Sequence, residues 1–190
     1  CGFAYRNKTR ADYVARLVAE RGQYLKDRRR GIAAEKEMNM NIRIVTFGGG
    51  TGQPMLLKAV KSPMLDITAV VSMADSGGSS GVLRDELGVL PPSDALRCLF
   101  ALADMSDPRA ALLAHACMDR FTGKGSLVPK GVGHTTGNIL QSTLLRQHGE
   151  HGFGVMGQLL AVPHYCRVLP STLRDVTLVA RLSDRTVIRG

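Results

Sequence analysis

The chain has 190 residues, 44% of them apolar and 22% charged, and a formal net charge of +9. That length supports one domain with a sizeable core, and the balance of apolar and charged residues excludes a disordered chain. No run approaches the roughly 18 apolar residues that span a bilayer, and no stretch reads as a secretory signal, so a cytoplasmic protein without a membrane span is expected.

Residues 1–40 differ from the rest and carry ten Lys/Arg against five Asp/Glu, more than half of the net charge. Tyr13, Leu17, Val18, Tyr24 and Leu25 form a partial helical stripe ahead of the charge block Lys26-Asp-Arg-Arg-Arg30. The plain reading is a solvated basic helix; a calmodulin-target or membrane-surface helix is the sharper one. Met38 or Met40 stands just before the first strand-like run, so the functional protein is expected to start near Met40 and residues 1–40 to be a non-native extension. Aromatic residues are 5% and Trp is absent, which leaves no stacking platform for single strands, and no specific nucleic-acid partner is expected. Cys1, Cys98, Cys117 and Cys166 are widely spaced without a Cys-x-x-Cys pair, so neither a disulfide framework nor a zinc site is implied. Cys98 and Cys117 lie in apolar helical surroundings and read as small buried hydrophobes.

From residue 41 strands and helices alternate. A β-branched run over 41–47 leads into Gly48-Gly-Gly-Thr-Gly52 and a helix over 55–61. A second run over 66–73 leads into Ala74-Asp-Ser-Gly-Gly-Ser-Ser-Gly81 and a short helix over 82–87. Leu90-Pro-Pro-Ser-Asp94 is a turn into a helix to about residue 104, with Ser93 or Asp94 as its cap. Ser106-Asp-Pro108 repeats that signal for a helix to about 121, with Pro inside its first turn. A glycine-rich loop over 123–137 precedes a helix over 138–147, and another helix covers 154–161. Residues 177–180 and 186–189, around Ser183-Asp-Arg185, read as a β-hairpin. The alternation predicts an α/β fold with a mostly parallel sheet.

Each glycine turn ends a hydrophobic run, the arrangement in which main-chain N–H groups approach an anion closely. Neither is a Walker loop, because Gln53 and Pro54 follow Gly52 and no Lys is near. Neither completes a dinucleotide fingerprint, because Gln53 or Met55 falls where the third glycine belongs. Asp75 ends the second strand near where a ribose-binding acid would fall, and Ser79 and Ser80 add hydroxyl donors to a second anion cradle. Two such turns, one strand–helix–strand unit apart, would lie side by side at the carboxyl edge of one sheet and suit a diphosphate. His148 and His151 form a His-x-x-His without a metalloprotease Glu and read as surface chemistry.

Five ordered motifs give a more specific reading. They are Gly48-Gly-Gly-Thr-Gly52, Ala74-Asp-Ser-Gly-Gly-Ser-Ser-Gly-Val-Leu-Arg-Asp-Glu86, Leu90-Pro-Pro-Ser-Asp94, Gly133-His-Thr-Thr-Gly-Asn138 and Val168-Leu-Pro-Ser-Thr-Leu-Arg-Asp-Val176. Together they resemble the CofD-like superfamily, and within it the YvcK-type gluconeogenesis factors. The resemblance implies a Rossmann-like sheet with flanking helices. It also implies a UDP-sugar ligand such as UDP-N-acetylglucosamine and a regulatory role in carbon flux, cell wall and cell shape. A second branch transfers a phospholactyl group to a deazaflavin, so an enzyme is the alternative. An interaction adaptor acting through the basic helix is another. The Asn-Thr-Gly-Asp-Asp segment of the transferase branch is not reproduced by Ser72-Met-Ala-Asp-Ser76. Relative to the family the chain also looks truncated at its C-terminus.

The resemblance implies roles for particular residues. Gly48, Gly49, Gly50, Gly52 and Thr51 would hold the diphosphate, with Gly77, Gly78, Gly81, Ser79 and Ser80 on the rest of the ligand. Asp75, beside Ser76, would accept a sugar hydroxyl or orient a metal-bound water, with an Asx-turn as the plain alternative. Arg84 and Arg97 would pair with phosphate, though Arg84 beside Asp85 and Glu86 also suits a surface ion pair. Asp94 would face the ligand or cap its helix, His134 would donate to a phosphate or sugar oxygen, and Thr136 and Asn138 would complete the pocket. No cofactor is required, Mg²⁺ is admitted as a companion of the nucleotide, and a homo-oligomer is left open.

Overall fold

The computed structural model describes residues 42–75, 77–121 and 133–189, and the expectations for residues 1–40 and for Ser76 lie outside them. The described residues belong to one compact unit, Ile42–Gly190. Strand β1 (Ile42–Gly48) is followed by helix α1 (Gly52–Val60) and strand β2 (Leu65–Val71). Among the described residues, five α-helices then follow before the third strand: α2 (Gly78–Leu87), α3 (Ser93–Leu102), α4 (Pro108–Met118), α5 (Thr136–His148) and α6 (Gly152–Leu159). Strand β3 (Cys166–Pro170) completes the main sheet, and β4 (Val179–Arg181) with β5 (Val187–Arg189) forms the antiparallel hairpin expected at the tail.

The sheet has the order β1-β2-β3 and is parallel throughout, with Ile44 opposite Ile67 and Ile67 opposite Cys166. Both crossovers step in the same direction, and right-handed crossovers that do so place their helices on one face. Burial follows that rule. Thr46, Ile67, Ala69, Val71, Cys166 and Val168 point into the core, whereas Val45, Phe47 and Leu169 on the other face are exposed, Phe47 by 77%. The core itself joins this inner face to Leu57 of α1, Leu96, Leu99 and Leu102 of α3, and Phe153 and Met156 of α6. Each such side chain contributes about 1.5–3 kcal/mol through burial, so the helical side carries the stability.

Several ends are fixed by single residues. Asp107 accepts from the backbone N–H groups of Arg109 and Ala110 and caps α4, with Pro108 in the first turn as the sequence implies. Lys61 donates to the Ala103 carbonyl at 2.7 Å and satisfies the end of α3. Gly137 in the first turn of α5 allows a close helix crossing, since a Cβ there would lie 2.7 Å from Leu96 Cδ2 and 2.9 Å from the Cys117 carbonyl.

The structure differs from expectation in four places. Helix α2 begins at Gly78, so the second glycine turn is largely the first turn of a helix and not a loop ahead of one. Helix α3 has Pro92 at its N-cap position and no side-chain cap, because Ser93 and Asp94 are engaged elsewhere. Helix α4 stops at Met118, where the backbone turns to pair with the start of α5. Strand β3 is added; with only five residues, an exposed Arg167 and a terminal Pro170, it has little periodic signal of its own.

Candidate functional site

The carboxyl ends of β1 and β2 open into a cleft of about 600 Å³. A second hollow of about 430 Å³, between Leu87, Leu90, Leu145 and Leu173, presents no hydroxyl or imidazole. The chemistry is therefore concentrated at the sheet edge. Of the first glycine turn, Gly49 lines the cleft. Below it, buried Gln53 of α1 donates through Nε2 to the Thr46 carbonyl at 3.1 Å, the Thr46 hydroxyl at 2.9 Å and the Val70 carbonyl at 3.2 Å. The residue that spoils the dinucleotide fingerprint is thus the one that ties α1 to both strand ends.

Above the same turn stands Asp94. Its carboxylate accepts the Gly50 N–H, and Arg97 donates to the Gly50 carbonyl at 3.3 Å. A Cβ at Gly50 would lie 2.1 Å from Asp94 Oδ1, so only glycine lets the turn and this carboxylate meet. Burial pushes the Asp94 carboxyl above its ordinary value, and Asp75 across the cleft adds to the effect; the Gly50 N–H and Arg97 oppose it. The carboxylate therefore puts negative charge where the resemblance places a phosphate.

The second turn is arranged differently. Asp75 Oδ1 accepts the Gly77 N–H at 3.1 Å, which is the Asx-turn alternative. Gly78 has φ of +48°, a conformation that glycine adopts without strain, and α2 begins there. Ser79 and Ser80 follow in its first turn. Asn138, in the first turn of α5, donates through Nδ2 to Ser79 Oγ and to Ser93 Oγ, both at 2.9 Å. Ser80 donates to Ser93 Oγ, at the first residue of α3, and accepts the Ser93 N–H. Three helix N-termini, those of α2, α3 and α5, are thereby drawn to one point. Each brings the positive end of a helix dipole to that point, with the Ser93 N–H held by Ser80 Oγ and the Asn138 N–H by Thr135 Oγ1.

His134 stands behind Ser79, with Nδ1 2.7 Å from Ser79 Oγ, and is only 7% exposed. Its backbone is held where the chain re-enters: the Phe121 N–H bonds to the His134 carbonyl at 2.9 Å, and the Gly133 N–H bonds to the Phe121 carbonyl at 2.8 Å. Thr135 caps α5 by accepting the Asn138 N–H. Arg120 donates to the Gly133 carbonyl and lines the cleft with Arg97, giving it two cations.

Of the residues singled out from sequence, Gly49, Asp75, Gly77, Gly78, Ser79, Ser80, Asp94, Arg97 and Asn138 come together at the cleft. Gly48, Gly50, Thr51 and Gly52 build the adjacent turn, Gly81 lies buried in α2, and Thr136 opens α5. Arg84 does not line the cleft: its side chain, 11% exposed, pairs with Asp85 at 3.0 Å and lies 3.5 Å from Asp175, the ion-pair alternative. His148 and His151 are exposed near a short 3₁₀ turn, far from this cluster in the chain. Cys98 and Cys117 are buried, and burial pushes the Cys98 thiol up to about 12. Ser93 entered the sequence reading only as a cap, and Arg120 not at all. Neither belongs to a glycine turn, and the sequence offers no signal that Arg120 folds back over α5.

This architecture is that of an α/β protein with a polar cleft at the carboxyl edge of a parallel sheet, and comparison with known proteins places it. The family model described as 2-phospho-L-lactate transferase CofD matches residues 44–190, and the chain belongs to that CofD-like family. A putative gluconeogenesis factor from Deinococcus radiodurans is 43% identical over 155 residues, covering 82% of this chain and 31% of that protein. The Bacillus subtilis gluconeogenesis factor is 37% identical, covering 80% and 46%. A crystal structure of a Bacillus halodurans protein superposes with a TM-score of 0.67 at 36% identity, over 79% of this chain and 45% of that one. The chain thus spans 31% to 46% of the length of these relatives. No helix among the described residues is long and apolar enough to cross a membrane.

Proposed function

We propose that this chain carries the nucleotide-sugar-binding part of a regulatory protein of the gluconeogenesis-factor type. The ligand is UDP-N-acetylglucosamine or a close relative, and the setting is cytoplasmic control of carbon flux, cell wall and cell shape. The observation that carries the reading is the meeting of three helix N-termini around Ser79, Ser93 and Asn138, beside Arg97 and Arg120. Converging helix dipoles, hydroxyls and two guanidiniums match the charge and the acceptor atoms of a diphosphate. The names of the relatives support the regulatory side. Asp75 and Asp94 are the carboxylates of the cleft, too few for a closed cation cage but suited to an ion that arrives with the phosphates.

The transferase alternative, phospholactyl transfer to a deazaflavin, draws its support from the description of the family model. Both readings meet in one experiment, a thermal melt with UDP-N-acetylglucosamine, UDP, GDP, NAD and ATP. A ligand at about 100 times its Kd stabilises by roughly 2.7 kcal/mol. For a domain of this size the midpoint rises about 2–4 °C per kcal/mol. A shift confined to the uridine ligands is the expected result. A shift with GDP that grows with deazaflavin would favour transfer, and equal or absent shifts would remove the nucleotide-sugar reading.

A further inference from the structure

The hydroxyl cluster has an asymmetry that anion binding does not require. Asn138 Nδ2 has two protons, one directed to Ser79 Oγ and one to Ser93 Oγ. Ser93 Oγ also accepts from Ser80, so both of its lone pairs are occupied and its own proton is free for the cleft. Ser79 Oγ accepts from Asn138 alone, and its remaining neighbour is His134 Nδ1 at 2.7 Å. With His134 neutral and protonated on Nε2, Ser79 donates its proton to that nitrogen and presents a lone pair to the cleft. Ser79 lines the cleft and His134 does not; the imidazole sits behind the hydroxyl, buried, where a base for that hydroxyl belongs.

We propose that Ser79 is a nucleophile and His134 its general base, and that the pair takes a phosphoryl-type group from a nucleoside diphosphate sugar. The proposal rests on the nucleotide-sugar reading above and adds a covalent step to it. Ser79 Oγ attacks one phosphorus of the diphosphate. The Oγ–P bond forms, the P–O bond to the bridging oxygen breaks, and that oxygen leaves with the electron pair as a phosphate monoester. The hydroxyl proton passes to His134 Nδ1, and nothing is oxidised or reduced. Ser79 lies in the first turn of α2, whose dipole favours the developing alkoxide. The free Ser93 hydroxyl, Arg97 and Arg120 face the same space and would take up charge on the phosphoryl oxygens.

The test incubates the whole protein with UDP-N-acetylglucosamine and follows three readouts together: thermal shift, intact and peptide mass, and release of UMP or sugar phosphate. The expected result is a phosphodiester-linked uridylyl or N-acetylglucosamine-phosphoryl group on Ser79, or monoester release that depends on it. Ser79→Ala should abolish both, and His134→Gln should slow them by about 100-fold or more, the range for a general base, while the cooperative melt of each unliganded variant stays in place. That melt separates lost chemistry from lost folding, and the size of the ligand-induced shift in each variant, weakened or not, separates it from lost binding. A normal shift in the wild type with neither adduct nor release would overturn the covalent step and leave the binding reading intact. A bare N-acetylglucosamine on Ser79 would mean attack at the sugar carbon and overturn the phosphoryl assignment. Chemistry that survives Ser79→Ala would overturn the nucleophile, and an unslowed His134→Gln would overturn the base. No shift and no chemistry would remove both readings at once.

Discussion

The two glycine turns look alike in sequence and do opposite things in the fold. The first is filled by the protein itself: Gln53 packs under Gly48, Asp94 sits on Gly50, and Arg97 holds the Gly50 carbonyl. The second carries a local Asx-turn and faces the cleft with hydroxyls, bonded to Asn138 and Ser93, and with the start of α2. A run of glycines signals that something approaches the backbone closely; it does not signal what. Here the first turn is a joint between strands and helices, and the second lines the open cleft.

That contrast can be broken most forcefully at Gln53. Gln53→Ala removes the buried amide that serves the Thr46 carbonyl and hydroxyl and the Val70 carbonyl, and leaves a void at the joint. An unsatisfied buried polar group costs about 1–3 kcal/mol. The loss, with the cavity added, should therefore be about 3 kcal/mol. The urea midpoint would show it, and a variant as stable as the wild type would mean that the first turn is not a structural joint. The next largest effect is at Gly50. Gly50→Ala places a Cβ against Asp94, which must move, at a cost of about 1–3 kcal/mol. Gly52→Ala, where a Cβ meets nothing within 4 Å, should be neutral within about 0.5 kcal/mol. Equal losses in the two variants would erase the distinction between an occupied and an open position in one turn.

The outline of the fold was legible because β-branched apolar runs end in glycine turns ahead of helical stretches, as the runs before Gly48 and Asp75 do, even though, among the described residues, only one face of the sheet is covered. The cap of α4 followed from Ser106-Asp-Pro108, whereas α5 begins at Thr136, two residues ahead of the expected start, with Thr135 as its cap. Strand β3 escaped because five residues with an exposed Arg167 carry no period. The start of α2 escaped because Gly78-Ser-Ser-Gly81 are poor helix formers, held helical by bonds from Ser93 and Asn138 that are 13 to 59 residues distant in the chain. The site was legible as a set of small polar residues but not as a geometry. Asp94 facing Gly50, Arg120 lining the cleft and His134 standing behind Ser79 are all long-range placements, and local pattern does not encode them.

The smallest effect is the most diagnostic, because it asks whether the first turn's own anion competes with a ligand's. Asp94 has a carboxyl raised above its ordinary value of 3.8, chiefly by burial and next by Asp75, against the opposing Gly50 N–H and Arg97. A raised acid binds its proton more readily folded than unfolded. Its contribution is thus fully favourable below the ordinary value and is lost as pH rises through the folded one. At neutral pH the ionised Asp94 therefore weighs against the fold. Asp94→Asn can still accept the Gly50 N–H through its amide oxygen but carries no charge. It should leave the melting midpoint slightly higher than wild type at pH 7, with the difference vanishing as pH falls below 3.8. If the cleft takes the proposed nucleotide sugar, the same variant should bind UDP-N-acetylglucosamine a few-fold more tightly at pH 7, because one negative charge lining the cleft is gone. If affinity instead fell while the midpoint rose, Asp94 would be serving the ligand directly, through a sugar hydroxyl or an ion carried in with the phosphates. The first turn would then be part of the binding surface after all, with its resident carboxylate as the point of contact.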